Sequence, residues 1–144
     1  LKKRVLNCLE AGALASSCAM SHDWIEPYYA DMVDNETICT LYSANASKVG
    51  RVPIEPDQDL KVVGSTDMGN VSYIVPSIHP MIAVAPHGTP IHTPEFATHS
   101  KSENGDKAVV DGAKIMAMTV VDLWANKKSM ESAQTEFELA LQNI

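Results

Sequence analysis

The chain has 144 residues and a formal net charge of -7, with 45% hydrophobic and 20% charged residues. This length and composition are typical of one folded domain and exclude a disordered polymer. The acidic balance argues against a nucleic-acid partner, and no apolar run approaches the roughly 20 residues of a membrane span. No leader pattern is recognised, so a cytoplasmic location is expected.

The first third of the chain is predicted to be helix, strand, helix. Apolar residues recur at helical spacing over residues 1–18 and predict an amphipathic helix. Residues 19–26 alternate in polarity, which predicts a strand ending before a proline. Asn35 is a favourable N-cap and Gly50 favours a left-handed C-cap, so a second helix is predicted over about 36–49.

The middle of the chain is predicted to contain loops and short strands. Residues 51–60 hold two prolines and three acidic residues, which predicts a surface loop leading into Lys61–Val63. The β-branched runs at 71–75 and 82–85 predict short buried strands. Residues 86–107 are expected to be loops.

Two further helices are predicted towards the end of the chain. Residues 108–124 are apolar nearly all around the helical wheel, as expected of a helix buried against a sheet. Residues 129–142 have the pattern of an amphipathic helix. The succession of helices and strands predicts an α/β fold.

The densest polar turn in the sequence is Gly64–Asn70, GSTDMGN. As a structural element, it would be a turn or helix N-terminus in which a hydroxyl or carboxylate caps exposed amides. As a functional element, it would present polar groups to a ligand at the end of a strand. The two interpretations are compatible, and composition does not choose between them.

Four of the five histidines, His79, His87, His92 and His99, fall within 21 residues. Neutral imidazole is a common transition-metal ligand, so a metal site is conceivable here. Their spacing matches no local zinc signature, so they need not share one site. Each of them alone is expected to be solvated or hydrogen-bonded.

Several segments resemble the aminoacylase-like and p-aminobenzoyl-glutamate hydrolase-like zinc amidohydrolases, a metallopeptidase family. The longest is 64–80, GSTDMGNVSYIVPSIHP. Residues 89–93, TPIHT, resemble the family's late His motif, and 111–119 resemble the Ala- and Met-rich helix that follows it. Residues 8–15 and 28–35 resemble the end of its inserted lid domain. The resemblance covers nearly the whole chain.

The resemblance implies an architecture. Residues 1–33 would be the tail of the lid or dimerisation domain, with a helix and a strand. Residues 34–144 would be the C-terminal part of the catalytic α/β domain, with a mixed sheet flanked by helices. A homodimer formed through the lid domain is implied as well.

The resemblance also implies a chemistry. Such enzymes hold two metal ions, usually zinc, with manganese as the alternative, and a Glu serves as general base in hydrolysis of an amide bond. His92 matches the family's last metal ligand. The substrate-facing loop is matched by Ser65, Thr66, Asp67 and Asn70. The implied substrates are small amides: N-acyl amino acids, p-aminobenzoyl-glutamate-like compounds or small dipeptides.

Only part of the implied machinery is present. The early metal motif, the paired glutamates with the general base, and the lid histidine have no counterpart in the sequence. One histidine does not hold a catalytic zinc, which needs three protein ligands. The chain is therefore expected to be inactive by itself, with the N-terminal half of the same enzyme lying before Leu1.

Two alternatives from other classes remain open. A non-catalytic module that binds a small amide or acid would bind its ligand whether or not a chelator is present. A structural module, in which residues 1–18 and the following strand pair with a second copy, would form a stable dimer without ligand.

Overall fold

The computed structural model describes residues 1–54 and 64–142. These residues form six helices: α1 (Lys2–Ala15), α2 (Glu36–Lys48), α3 (Met68–Ser72), α4 (Pro94–Ser100), α5 (Glu103–Ala125) and α6 (Lys127–Gln142). Strand pairing within the described ranges is limited to one isolated parallel bridge, between Asp34 and Ser77. None of these helices is both long enough and apolar enough to cross a membrane.

The prediction of an α/β fold with a mixed sheet is wrong. Helix accounts for 59% of the structure and strand for 2%, and the described residues contain no sheet. A β-branched run forms a strand only where a neighbouring strand satisfies its N–H and C=O groups. Residues 19–26 and 82–85 have no such neighbour among the described segments and are irregular.

The run at 71–75 differs from the prediction for a local reason. It forms the end of α3 and the turn after it, since its amides find carbonyls within the same segment. The amide of Ile74 donates to the carbonyl of Val71 at 2.9 Å, and that of Val75 donates to the same carbonyl at 3.1 Å. Local turn bonds therefore replace the ladder that a strand would need.

The predicted loop at 86–107 contains α4 and the first turn of α5. Two hydroxyl caps start these helices: Thr93 Oγ1 accepts a hydrogen bond from the amide of Phe96, and Ser102 Oγ accepts one from the amide of Gly105. Hydroxyl N-caps are a sequence signal for a helix start, so both beginnings were visible in the sequence. Of the predicted loop at 51–60, only 51–54 are described and irregular; the remainder and Lys61–Val63 lie outside the described residues.

The four predicted helices are confirmed as α1, α2, α5 and α6, although α1 ends at Ala15 and α5 already begins at Glu103. The predicted caps of α2 are present too. Asn35 Oδ1 accepts a hydrogen bond from the amide of Ile38 at 3.1 Å, and Gly50 takes a φ of +80°, which a side chain would strain. Capping signals therefore located this helix to within one residue.

Helix α5 is the centre of the assembly, because it packs against α2, α4 and α6. Its buried side carries Ile115, which is 1% exposed, together with Ala108 and Thr119. The α2 residue Asn45 is fully buried and donates to Thr119 Oγ1 at 3.3 Å and to Asp122 Oδ2 at 2.8 Å. Small apolar residues and a satisfied polar network thus join α2 to α5.

The start of α2 is bound by α6. The side-chain amide of Asn35 donates to the carbonyl of Ala133 at 2.9 Å. The carboxylate of Glu136 accepts hydrogen bonds from the first two amides of α2, those of Glu36 and Thr37. These amides have no partner within their own helix, so α6 supplies an anionic cap to the positive end of α2.

An ion cluster around the buried carboxylate of Asp111 ties α5 to two irregular segments. The carboxylate of Asp111, whose side chain is 7% exposed, accepts from Arg51 Nε at 2.9 Å and from Lys107 Nζ. Arg51 also donates to the carbonyl of Ala83 at 2.8 Å. The hydrogen bonds from Lys107 and then Arg51 lower the pKa of Asp111 below its usual value.

By contrast, α1 packs against none of the other described helices and has no buried residue. Its contacts are with the segment that follows it. The ammonium of Lys2 lies 4.3 Å from the ring centroid of Trp24 and 5.6 Å from that of Tyr28. Cation–π attraction therefore holds the start of α1 near this aromatic segment.

We expect Glu136→Ala to lower the free energy of unfolding by about 1–2 kcal/mol, because two helix-terminal amides lose a charged acceptor. Urea denaturation followed by circular dichroism measures the change. Glu138→Ala is the matched control, since Glu138 lies on the same helix and accepts only from the exposed Gln134. Equal effects of the two substitutions would contradict the capping role.

The lowered pKa of Asp111 predicts a loss of stability in acid. Since its pKa is lower in the folded state, its stabilisation is full above the ordinary aspartate value of about 3.9 and is lost as pH falls through the folded value. Denaturant melts from about pH 6 down to about pH 3 should show this loss, and Asp111→Asn should flatten it. Asp23→Asn, at an exposed carboxylate outside the cluster, should leave the pH profile unchanged.

Candidate functional site

The polar turn at Gly64–Asn70 leads into α3 and forms its first turn. Thr66 organises this start: its hydroxyl accepts a hydrogen bond from the amide of Met68 at 3.2 Å, and its carbonyl accepts from the amide of Gly69 at 3.2 Å. Asp67 occupies the N-cap position, but its side chain makes no capping bond. The helix N-terminus predicted as one interpretation of this turn is therefore present.

The four predicted substrate-binding residues differ in what their side chains contact. Ser65 and Asp67 are exposed, and Thr66 is half-buried beside them. Asn70 is turned towards the preceding part of the chain, where its Oδ1 accepts from the amide of Ala30 at 3.0 Å and its Nδ2 donates to the carbonyl of Tyr28 at 3.1 Å. The Asn70 amide thus takes the place of a strand neighbour for these backbone groups.

Two small residues let α3 approach this extended segment closely. A Cβ on Gly69 would lie 2.0 Å from the carbonyl oxygen of Ala30, so a larger residue does not fit without backbone movement. Ser72 Oγ accepts from the amide of Val33 at 3.0 Å and donates to the carbonyl of Gly69 at 2.6 Å. The motif GSTDMGNVS therefore folds as a helix docked on residues 28–33.

The predicted metal ligand His92 is exposed and lies in the loop before α4. Its φ is +62°, a left-handed conformation that few residues other than glycine adopt. The next residue fixes the loop, since Thr93 Oγ1 donates to the carbonyl of Pro90 at 2.8 Å while it caps α4. Pro94 begins that helix. The backbone around His92 is thus held on both sides.

An open groove of about 600 Å³ lies beside His92. Its walls are mainly apolar, and its lining side chains are Met81, Ile91, Thr93, Phe96, Ala97, Ser100 and Lys101. None of the four predicted substrate-binding residues lines it. The two motifs of the sequence therefore do not build this groove together.

No group of three or more His, Cys, Asp or Glu residues that could hold a metal is found within residues 1–54 and 64–142. His79 and His87 are exposed, as His92 is, and His99 is half-buried. The described residues thus do not by themselves form the three-ligand set of a catalytic zinc. The role of His92 as a ligand stays a prediction.

The cluster of Asp111, Arg51 and Lys107 was not predicted from the sequence. The Lys107–Asp111 pair could have been predicted, because the two residues are four apart on one helix, a spacing that brings opposite charges together. Arg51 lies 60 residues from Asp111 in the chain. Only tertiary structure brings it there.

Comparison with known proteins shows that the chain is related to the aminoacylase- and amidohydrolase-like peptidases. It is 32% identical over 143 residues to the Xaa-Arg dipeptidase of Mus musculus, and 32% identical over the same length to that of Homo sapiens. It is 31% identical over 83 residues to a p-aminobenzoyl-glutamate hydrolase chain of Escherichia coli (strain K12). The family resemblance predicted from the motifs is confirmed.

The extent of these matches is unequal. The two dipeptidases match 99% of this chain, whereas the chain covers 33% of each of them. The bacterial hydrolase matches 56% of the chain, over 17% of its own length. The chain thus spans about a third of the length of the dipeptidases that it matches. No protein-family model matches the chain.

We expect Asn70→Ala to destabilise the chain by about 1–2 kcal/mol in the absence of any ligand, because the backbone groups of Tyr28 and Ala30 lose their partner. Denaturant unfolding measures this. Ser65→Ala is the control at an exposed position of the same turn and should change stability by less than about 0.5 kcal/mol. Unchanged stability of Asn70→Ala would contradict its structural role.

Proposed function

We propose that this chain is part of a metal-dependent amidohydrolase or peptidase that cleaves the amide bond of a small substrate. The observation that carries the proposal is the 32% identity over 99% of the chain to two proteins named Xaa-Arg dipeptidase. The substrates proposed are N-acyl amino acids, p-aminobenzoyl-glutamate-like compounds or small dipeptides. The name of the bacterial relative, a p-aminobenzoyl-glutamate hydrolase, supports the same class of bond.

His92 is the proposed metal ligand of this chain. Its imidazole is exposed, and its backbone has a left-handed φ. The hydrogen bond from Thr93 Oγ1 to the carbonyl of Pro90 and the start of α4 hold this backbone in place. Uncommon backbone conformations concentrate at functional sites, which supports a role for this residue. Zinc, when bound, would polarise the amide carbonyl and activate water.

The exposed side of the Gly64–Asn70 turn is the proposed substrate contact. Ser65 and Asp67 face solvent, with the hydroxyl-bearing Thr66 between them, so hydrogen-bond donors and a carboxylate are available to an amide-containing molecule. Asn70 contributes by holding the turn in place, since its own amide binds the backbone of Tyr28 and Ala30. The turn is thereby fixed before substrate arrives.

The active protein in this proposal is longer than the 144 residues. Zinc catalysis needs three protein ligands and an open position, and the two-zinc centre proposed here needs more. The remaining ligands and the general-base Glu would be supplied by polypeptide preceding Leu1. This chain alone would therefore be inactive. The relatives' threefold greater length supports this arrangement.

Residues 1–33 are the proposed end of a lid domain through which two copies associate. Helix α1 contacts none of the other described helices, and its apolar side chains Leu9 and Leu14, like that of its N-cap Leu1, are more than half exposed. A helix with this pattern gains stability by packing against another surface. A non-catalytic dimerisation module is the alternative that the same observation would support.

The test of the enzyme proposal is His92→Ala in the longer protein. We expect hydrolysis of N-acyl amino acids and dipeptides to fall by orders of magnitude, and the bound zinc measured by mass spectrometry to fall with it. His87→Ala is the matched control, at another exposed histidine in a neighbouring loop. Full activity and full zinc content in His92→Ala would overturn the assignment.

A further inference from the structure

The groove beside His92 is lined by one cationic side chain, that of Lys101, and the described residues that line it include no carboxylate. Its large apolar walls are Met81, Ile91 and Phe96. The volume of about 600 Å³ lies within the range of small-molecule sites in proteins. The groove therefore has the size and the surface of a site for a small, mainly apolar group.

The apolar walls are accessible, and one of them is held in position. Met81 is 68% exposed and Ile91 is 41% exposed, while Phe96 is half-buried. The amide of Phe96 donates to Thr93 Oγ1 at 3.2 Å, which ties the start of α4 to the loop that carries His92. An apolar ligand that enters the groove would remove this exposed apolar surface from water, which favours binding.

Helix α4 sets the length of the groove. Thr93 is its N-cap and Lys101 is its C-cap. A rise of roughly 1.5 Å per residue places these two caps about 12 Å apart. His92, directly before the N-cap, thus lies near one end of this wall, and Lys101 lies near the other. An aromatic or branched aliphatic group fits within this length.

The charge of Lys101 discriminates between possible ligands. An ammonium or guanidinium in the groove would lose water at the apolar walls, and it would meet a like charge without a lining carboxylate to pair with. Glu95 is on the same helix, but it does not line the groove. The surface therefore favours an apolar group over a basic one.

We propose that the groove beside His92 binds the apolar acyl group or side chain that flanks the scissile amide, and that Lys101 excludes substrates with a basic group at this position. The inference rests on the proposed function, in which His92 binds the metal beside which the amide is cleaved. It narrows the small amides proposed above to those with an apolar group next to the cleaved bond. Phe96 and Lys101 are then specificity-determining residues.

The first experiment measures binding to the 144-residue chain and needs no hydrolysis. Methionine methyl groups labelled with carbon-13 report the contact by NMR, because Met81 lines the groove and Met130, on α6, does not. The probes are N-acetyl-phenylalanine amide and N-acetyl-arginine amide. We expect the phenylalanine probe to shift the Met81 resonance, and the arginine probe to bind at least about tenfold more weakly. The Met130 resonance should stay unchanged with both.

Three outcomes of the binding experiment would overturn the proposal. The first is an unchanged Met81 resonance with the phenylalanine probe, because the groove would then bind no apolar group. The second is equal binding of the two probes. The third is a shift of the Met130 resonance as large as that of Met81, since binding would then be unspecific.

Lys101→Glu tests the exclusion of basic groups. We expect this variant to bind the arginine probe about tenfold more tightly than the unmodified chain does, because a repulsive charge becomes an attractive one. Lys101→Arg retains the charge and should keep the preference for the phenylalanine probe. Lys3→Glu is the matched control, at an exposed lysine on α1 outside the groove. Equal effects of Lys101→Glu and Lys3→Glu would contradict the role of Lys101.

Hydrolysis by the longer protein separates this inference from the enzyme proposal. A groove that binds the phenylalanine probe and responds to Lys101→Glu, in a protein that hydrolyses no amide, would leave the binding site standing and contradict the proposed activity. An active protein whose ratio of kcat/KM values for apolar and basic substrates is unchanged by Lys101→Glu would do the opposite.

Discussion

The packing of one side of α5 is the contact on which the other elements depend. Ile115 and Ala108 are buried on one side of α5, and Asn45 of α2 donates hydrogen bonds to Thr119 and Asp122 of α5. Asp111 extends the contact by holding Arg51, which in turn reaches the carbonyl of Ala83. The buried apolar core is small, so satisfied polar groups carry much of the specificity of this packing. Helix α6 joins through the cap that Glu136 provides to α2.

A second, independent contact positions the polar turn. The side chains of Asn70 and Ser72 take up backbone groups of residues 28–33, and Gly69 allows the two segments to touch. The motif that carries the family resemblance is thus also a packing element, and its leading residues Ser65 and Asp67 are exposed. His92 belongs to a different loop, ordered by Thr93 and Pro94. In the proposed enzyme, these two loops acquire a common function only when further polypeptide joins them.

Elements fixed by residues close together in the chain were predicted more accurately than elements that need distant partners. Helix α2 was predicted to within one residue because Asn35 and Gly50 act on their immediate neighbours. The strand at 71–75 was predicted from β-branched residues, whose preference depends on a neighbouring strand, and the segment became the end of α3 instead. Likewise, α5 was predicted to be buried all around, but only one of its two apolar sides is covered. Periodicity identifies an apolar side without showing what lies against it.

The sequence by itself determined the helices with strong caps, the relation to the aminoacylase- and amidohydrolase-like peptidases, and the residue types of the candidate site. These properties reside in short stretches of chain and in the order of particular residues. Only the tertiary structure decided that Asn70 binds the backbone of residues 28–30, that Arg51 joins Asp111, and that one apolar side of α5 is exposed. The physical reason is distance along the chain. Partners separated by 40 to 60 residues meet only when the whole chain packs, and no local pattern encodes that meeting.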